Sequence, residues 1–184
     1  MSRVLKTPLV EEDVRSLHVG DVVFLSGVVV TARDAAHRRM IEHIQSGKPI
    51  PVNLRGGVIY HCGPIIRRLD DGRMEVISAG PTTSSRMDIF EPFIISRLGA
   101  RMIIGKGGMG GSTIDAMKRY GAVYAAFPGG AGVLAASKIK RVVGVEWMEL
   151  GMPEALWILE VESFGPLVIA IDSSGKSLYA RGSR

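Results

Sequence analysis

The chain has 184 residues, 46% of them hydrophobic and 22% charged, with a formal net charge of +5. That length and mix suit one globular domain with a real core, and no apolar run is long enough to cross a membrane. The positive charge comes without a dense Lys/Arg run and with few aromatic residues, which disfavours nucleic acid and points to a small anion or an acidic protein surface.

The first ~18 residues, with Pro8, read as an extended arm that could dock a partner. Glu11, Glu12 and Asp13 stand where a secretion signal would need apolar residues, so the chain reads as cytoplasmic. Asp21 to Thr31 alternates loosely and is Val-rich, which predicts a strand, with Gly27 marking a bulge or a close backbone approach. Ala36, Met40, Ile41 and Ile44 recur at helical spacing, which predicts a helix over 35–46 ended by Gly47. Val58 to Cys62 reads as a short strand. Ile65–Leu69 and Met74–Ile77 flank Asp70-Asp71-Gly72 as a hairpin.

A helix from about Met87 to Leu98, closed by Gly99, opens the second half. Next come a strand over 102–104, a loop with five glycines around Lys106, a helix over 112–120 ended by Gly121, and a strand over 123–127. Strand, glycine loop, helix, strand is the rhythm of a βαβ unit. A short small-residue helix through Ser137 follows. From Arg141 on the chain reads mainly as β, with strands at 155–163, 167–172 and, after a Ser174-Gly175 turn, 177–179. The expectation is one α/β domain with mixed sheets.

Cys62 is the single cysteine, which excludes an intrachain disulfide and any site that needs several thiolates. The histidines are His18, His37, His43 and His61, and no two stand four apart on one helix face. A metal held by this chain alone is therefore not expected; if the chemistry needs one, another chain must bring it.

Three segments carry candidate chemistry. Gly80-Pro-Thr-Thr-Ser-Ser-Arg-Met-Asp88 puts four hydroxyl residues and Arg86 before an apolar helical pattern. Unpaired N–H groups and a positive dipole end there would receive a carboxylate or phosphate, unless the hydroxyls merely cap the helix. Thr82 or Thr83 could move a proton only with a neighbour to accept it, and Arg86 can grip a carboxylate through two bonds. Arg33 and Asp34 fall at a strand-to-helix junction, where α/β enzymes place functional groups; alternatively Asp34 caps the helix and Arg33 is solvated. His37, one turn on, is a packing residue or an acid–base candidate. The loop around Lys106 lets backbone N–H groups approach an anion, or is a flexible turn; it lacks the spacing of a P-loop and of a dinucleotide fingerprint.

Ordered motifs over most of the chain make a family resemblance specific. They are Gly20–Gly27, Arg33-Asp34 with His37, His61-Cys62-Gly63-Pro64, Gly80–Asp88, Gly105-Lys106-Gly107, Glu149–Trp157, Glu160-Val161-Glu162 and Phe164-Gly165-Pro166-Leu167. In these the chain resembles the β subunit, or C-terminal domain, of class I (iron–sulfur) fumarases and the related L-tartrate dehydratases. The resemblance implies a swivelling β/β/α three-layer domain spanning residues 1–184. It implies reversible hydration of fumarate to (S)-malate, with L-tartrate dehydration as the alternative. It also implies an α-subunit partner that carries a [4Fe–4S] cluster in an α2β2 heterotetramer, with no cofactor on this chain. By the same resemblance Arg33 and Arg86 bind substrate carboxylates and Lys106 lies in their pocket. Thr82 transfers a proton, Thr83 adds a contact, and Asp34 and His37 support Arg33 or groups of the partner. A non-catalytic anion-binding module built on the Lys106 loop is the reading from a different class.

Overall fold

The structure is a computed structural model that describes residues 3–128 and 130–179. Its elements in chain order are β1 (Arg3–Lys6), α1 (Glu11–Arg15), β2 (Val22–Thr31), α2 (Asp34–Ser46), β3 (Val58–Tyr60), β4 (Ile65–Arg68) and β5 (Met74–Ser78). There follow α3 (Glu91–Phe93), β6 (Met102–Gly105), α4 (Gly111–Tyr120), β7 (Val123–Ala126), α5 (Gly132–Ser137), β8 (Ile139–Glu146) and β9 (Leu156–Ile171).

Seven strands form one mixed sheet in the order β1-β2-β3-β6-β7-β9-β8, and β2 also pairs with β9. The pairings therefore close a ring from β2 through β3, β6, β7 and β9 back to β2. β1, β2, β3, β6 and β7 run parallel, and β9 is antiparallel to β2, β7 and β8. β4 and β5 make a separate antiparallel hairpin.

Strict alternation sends side chains to two cores. Val58, Tyr60, Met102, Ile104, Val123 and Ala125 point into the ring, where Trp157, Phe164 and Leu167 meet them. Ile59, Ile103 and Tyr124 point outward under α2, α4 and the segment after α3, with Met40, Ile94, Ile95 and Met117. Strands on opposite sides of the inner core and helices over the outer one give the expected β/β/α layering with sheets of mixed orientation.

The expected strand over 21–31 is β2. Gly27 is both things a strand glycine can be: the β2–β9 register shifts beside it, and at φ 111° it takes a conformation that L side chains rarely adopt. A Cβ there would overlap Thr7 Oγ1. Gly47, Gly99 and Gly121 end their helical segments in the left-handed conformation, as read from the sequence. β6, α4 and β7 form the expected βαβ unit, with β6 and β7 parallel.

Four expectations change. Residues 3–17, expected as an extended arm, are built into the fold: β1 pairs with β2, and Leu5, Leu9, Val14 and Leu17 are buried. The continuous helix over 87–98 is instead a 3-10 turn at Ser84–Met87, the short α3, and a π-helical stretch at Ile94–Leu98. Pro92 has no N–H to bond Asp88, so the chain turns through tight bonds, Phe90 N to Met87 O and Phe93 N to Phe90 O, before a regular turn forms. Strands 155–163 and 167–172 are one strand, β9, which passes Ser163 at φ 49° and Gly165 at φ 152° without ending. The strand expected at 177–179 reduces to one bridge, Ile171 to Ser177. Among the described residues no helix is long and apolar enough to cross a membrane.

Candidate functional site

Because β2, β3 and β6 are parallel neighbours, the residues that follow them emerge side by side. Crevices beyond the carboxyl ends of parallel strands are where α/β folds place ligands. Arg33 comes two residues after β2, His61 directly after β3, and Lys106 directly after β6. Main-chain bonds carry the strand order into the loops: Ala32 N to Tyr60 O at 3.0 Å and His61 N to Ile104 O at 2.8 Å.

The Gly80–Asp88 segment lies across these ends and is stitched to them. Pro81 bridges Cys62, and Thr83 bridges Lys106. Thr82 N donates to His61 O at 2.7 Å, Lys106 N to Thr82 O at 3.3 Å and Ser84 N to Lys106 O at 3.0 Å. Thr82 is half-buried, and Thr83, Ser85, Arg86 and Lys106 are exposed. Arg86 Nη2 donates to Asp34 Oδ2 at 2.8 Å, which ties the segment to the start of α2. Burial acts to raise the Asp34 pKa, but the hydrogen bond from Arg86, its own backbone and the charges of Arg86 and Arg33 outweigh this and hold it below the usual aspartate value.

Arg33 is held from the other side. Its Nε lies 3.2 Å from Glu154 Oε1, and Glu154 Oε2 accepts the Ala35 N–H at 2.9 Å. Gly63 leaves the room: a Cβ there would sit 2.7 Å from Arg33 Nη1 and 2.8 Å from Pro153 O.

The hydroxyls do not do what a helix cap does. The segment runs into a 3-10 turn, and Thr83, at its cap position, makes no side-chain cap bond. Ser84 is fully buried; its Oγ accepts the Tyr124 hydroxyl at 3.0 Å and meets His61 Nδ1 at 2.8 Å. The helix start that does receive an anion is that of α4, and the anion is internal. Asp88 Oδ1 accepts the Gly110 N–H at 2.9 Å and the Thr113 hydroxyl at 2.5 Å. A Cβ on Gly110 would overlap that carboxylate. At its Gly110 end the glycine loop thus already meets an internal carboxylate at the start of α4.

Beneath the loops lies a cluster that sequence reasoning missed. His37, His61 and Glu91 are each fully buried. Glu91 Oε1 lies 2.8 Å from His37 Nε2 and 2.7 Å from His61 Nε2. His37 Nδ1 lies 2.8 Å from Arg33 O, and Phe90 stacks on the His37 ring with centroids 5.9 Å apart. The two histidines and the glutamate bring three ligand-type atoms within 4.8 Å of one another. At hydrogen-bond distances around one shared oxygen they form a bonded triad.

The structure therefore brings together Arg33, Asp34, His37, Thr82, Thr83, Arg86 and Lys106, all named from the sequence. It adds Glu154, His61, Ser84 and Glu91. Glu154, His61 and Ser84 had a signal, since each stands in a motif read from the sequence; Glu91 had none. Cys62 is fully buried, and burial pushes its thiol well above the ordinary range despite the nearby Arg33 charge, so it is a packing residue. The cavities of about 810 and 260 Å³ lie elsewhere, one between the β4–β5 hairpin, α5 and β8 and the other beside Phe93 and Arg119. At the strand ends Thr83, Arg86 and Lys106 are exposed, while Arg33 and Thr82 are half-buried.

Known proteins match along the whole chain. The profile of a family described as the fumarase C-terminus matches residues 2–182. The β subunit of L(+)-tartrate dehydratase from Escherichia coli is 44% identical over 184 residues, all of this chain and 90% of that protein. A Methanocaldococcus jannaschii protein named "Putative L(+)-tartrate dehydratase subunit beta" is 46% identical over 93% of the chain and 88% of its own length. A Geobacillus stearothermophilus protein named "Putative fumarate hydratase class I" is 43% identical over 95% of the chain, which corresponds to 33% of that longer protein.

Proposed function

We propose, from the premise that the chain belongs to the fumarase C-terminus family, that it supplies one half of a hydro-lyase site for a four-carbon dicarboxylate. The reaction is reversible hydration of fumarate to (S)-malate, and L-tartrate dehydration is the second reading, favoured by the names of two relatives. The whole chain acts as one domain that closes on an α-subunit partner. This chain has a single cysteine, buried in the fold, where a cluster needs several thiolates. A [4Fe–4S] cluster on the partner would supply a Lewis acid for the substrate's hydroxyl and carboxylate.

The observation that carries the reading is the stitching of Thr82 between His61 and Lys106 while Arg86 and Arg33 are drawn to the same strand ends. Two guanidiniums can each take a carboxylate through paired bonds, and Lys106 adds a third cation. Arg33 and Arg86 clamp the two ends of the substrate, Lys106 and Thr83 add contacts, and Thr82 transfers the proton at the carbon opposite the hydroxyl. Asp34 and Glu154 hold the arginines until substrate replaces them. The test is anaerobic reconstitution with the partner subunit, with fumarate, malate and L-tartrate turnover measured side by side. Arg86→Ala is expected to lower kcat/KM about 100-fold, or about 3 kcal/mol. Turnover of none of these substrates by the reconstituted wild type would overturn the proposal.

A further inference from the structure

The donors and acceptors around Glu91 admit few proton arrangements. Arg33 O is a carbonyl and only accepts, so His37 Nδ1, 2.8 Å away, carries a hydrogen. Glu91 Oε1 faces two histidine Nε2 atoms, at 2.8 and 2.7 Å. Tyr124 donates to Ser84 Oγ, which leaves the Ser84 hydrogen free to donate to His61 Nδ1; with it placed there, His61 Nε2 is the donor to Glu91. One proton remains to be placed, on the line between His37 Nε2 and Glu91 Oε1. Glu91 Oε2 is buried and has no hydrogen-bond partner among the described residues. A carboxylate so placed is costly unless a cation touches it, and the groups at Oε1 are the ones available to be that cation.

We infer that Glu91, His37 and His61 are positioning residues: His37 is held as an imidazolium against the Glu91 carboxylate, and the triad locks the Arg33, Thr82 and Lys106 loops to one another. The links are on both sides of the carboxylate. Through His37 it fixes the carbonyl of Arg33, where β2 hands over to α2. Through His61 it fixes Ser84, whose N–H binds Lys106 O, and the backbone that receives Thr82 N–H. The directions at Glu91 and His61 agree with this arrangement. Burial would raise the Glu91 carboxyl, yet the His37 charge and the two histidine bonds hold it well below the ordinary range. Burial lowers His61 despite Glu91, in keeping with a neutral ring there. This inference rests on the hydro-lyase reading only where it speaks of turnover.

The test has two arms. In the first, ¹⁵N spectra of the full wild-type chain at neutral pH are expected to show both His37 ring nitrogens protonated and His61 with one; a single N–H on His37 overturns the inference, whatever the protein's activity. In the second, Glu91→Gln removes the charge at nearly constant volume. The reconstituted complex is expected to lose about 100-fold in kcat/KM, as misplacement of reacting groups by about 1 Å does. His37 should drop to one N–H in the same variant, a signature that loss of packing alone would not give. Glu162→Gln, on an exposed ion pair with Lys140 remote from the triad, serves as the unaffected control. A folded Glu91→Gln complex with wild-type kcat/KM overturns the inference. If the wild-type complex turns over neither fumarate nor tartrate, the hydro-lyase reading fails while the nitrogen spectrum still decides the triad.

Discussion

A Cβ on Gly105 would overlap Ser84 Oγ and come within 3.3 Å of His61 Nδ1. Gly105→Ala should therefore displace Ser84 and cost about 1–3 kcal/mol in urea unfolding, as an overpacked interior does. Adding Ser84→Ala should recover part of that loss, because it removes the overlapping atom. The same neighbourhood shows what single residues reveal in sequence. Thr82, Arg86 and Lys106 are legible because each stands in a loop motif of unusual composition, and Arg33 because it falls at a strand-to-helix junction. Glu91 is not, since one acidic residue beside Pro92 reads as solvated surface and its meaning lies in two histidines brought in by other elements. Asp88 is legible only as the end of a motif, because its partners Gly110 and Thr113 belong to a helix that reaches it through the fold.

Among the elements, the turn after β9 depends on one side chain. Asp172 Oδ1 accepts Ser174 N at 2.9 Å, Ser174 Oγ at 2.6 Å and Lys176 N at 3.2 Å, and Oδ2 accepts Val19 N at 3.2 Å. Asp172→Ala should cost about 2–3 kcal/mol, read from the shift in denaturation midpoint. Burial acts to raise the Asp172 pKa, but these bonds prevail and depress it. A depressed carboxylate stabilises fully above its unfolded value of about 4 and is lost as pH falls through the folded value. Wild-type stability should therefore drop on acidification below about pH 4, and Asp172→Ala should flatten that drop. Where one period or one glycine decides, the sequence alone marks the element, as in β2, in α2 and α4, and in the left-handed ends of the two helices; the pattern breaks down in two places. It fails at 87–98, where Pro92 removes a donor from an otherwise helical pattern. It fails at Gly165-Pro166 as well, where a strand with partners on both edges runs through residues that usually end one.

At the scale of the molecule, Thr83, Arg86 and Lys106 of the candidate site stand exposed at the strand ends. Malate or tartrate should accordingly bind the isolated chain only weakly, with calorimetry showing heat of binding for the complex with the proposed partner subunit and little for this chain alone. A submicromolar site on the isolated chain would contradict that. The closed ring of strands also sets the order of events during synthesis. β2 is made early and β9 late, yet β9 pairs with β2 along nearly its whole length and also closes against β7 and β8. A ribosome must release the last strand before the inner core can shut, so the emerging chain waits with Val23, Leu25 and Tyr60 uncovered. Contacts this distant in sequence make folding slow, on a scale of about milliseconds to seconds. A chain cut after Glu154 should show no cooperative unfolding transition, and the waiting interval is when a chaperone, or the proposed partner subunit, has most to gain by holding it.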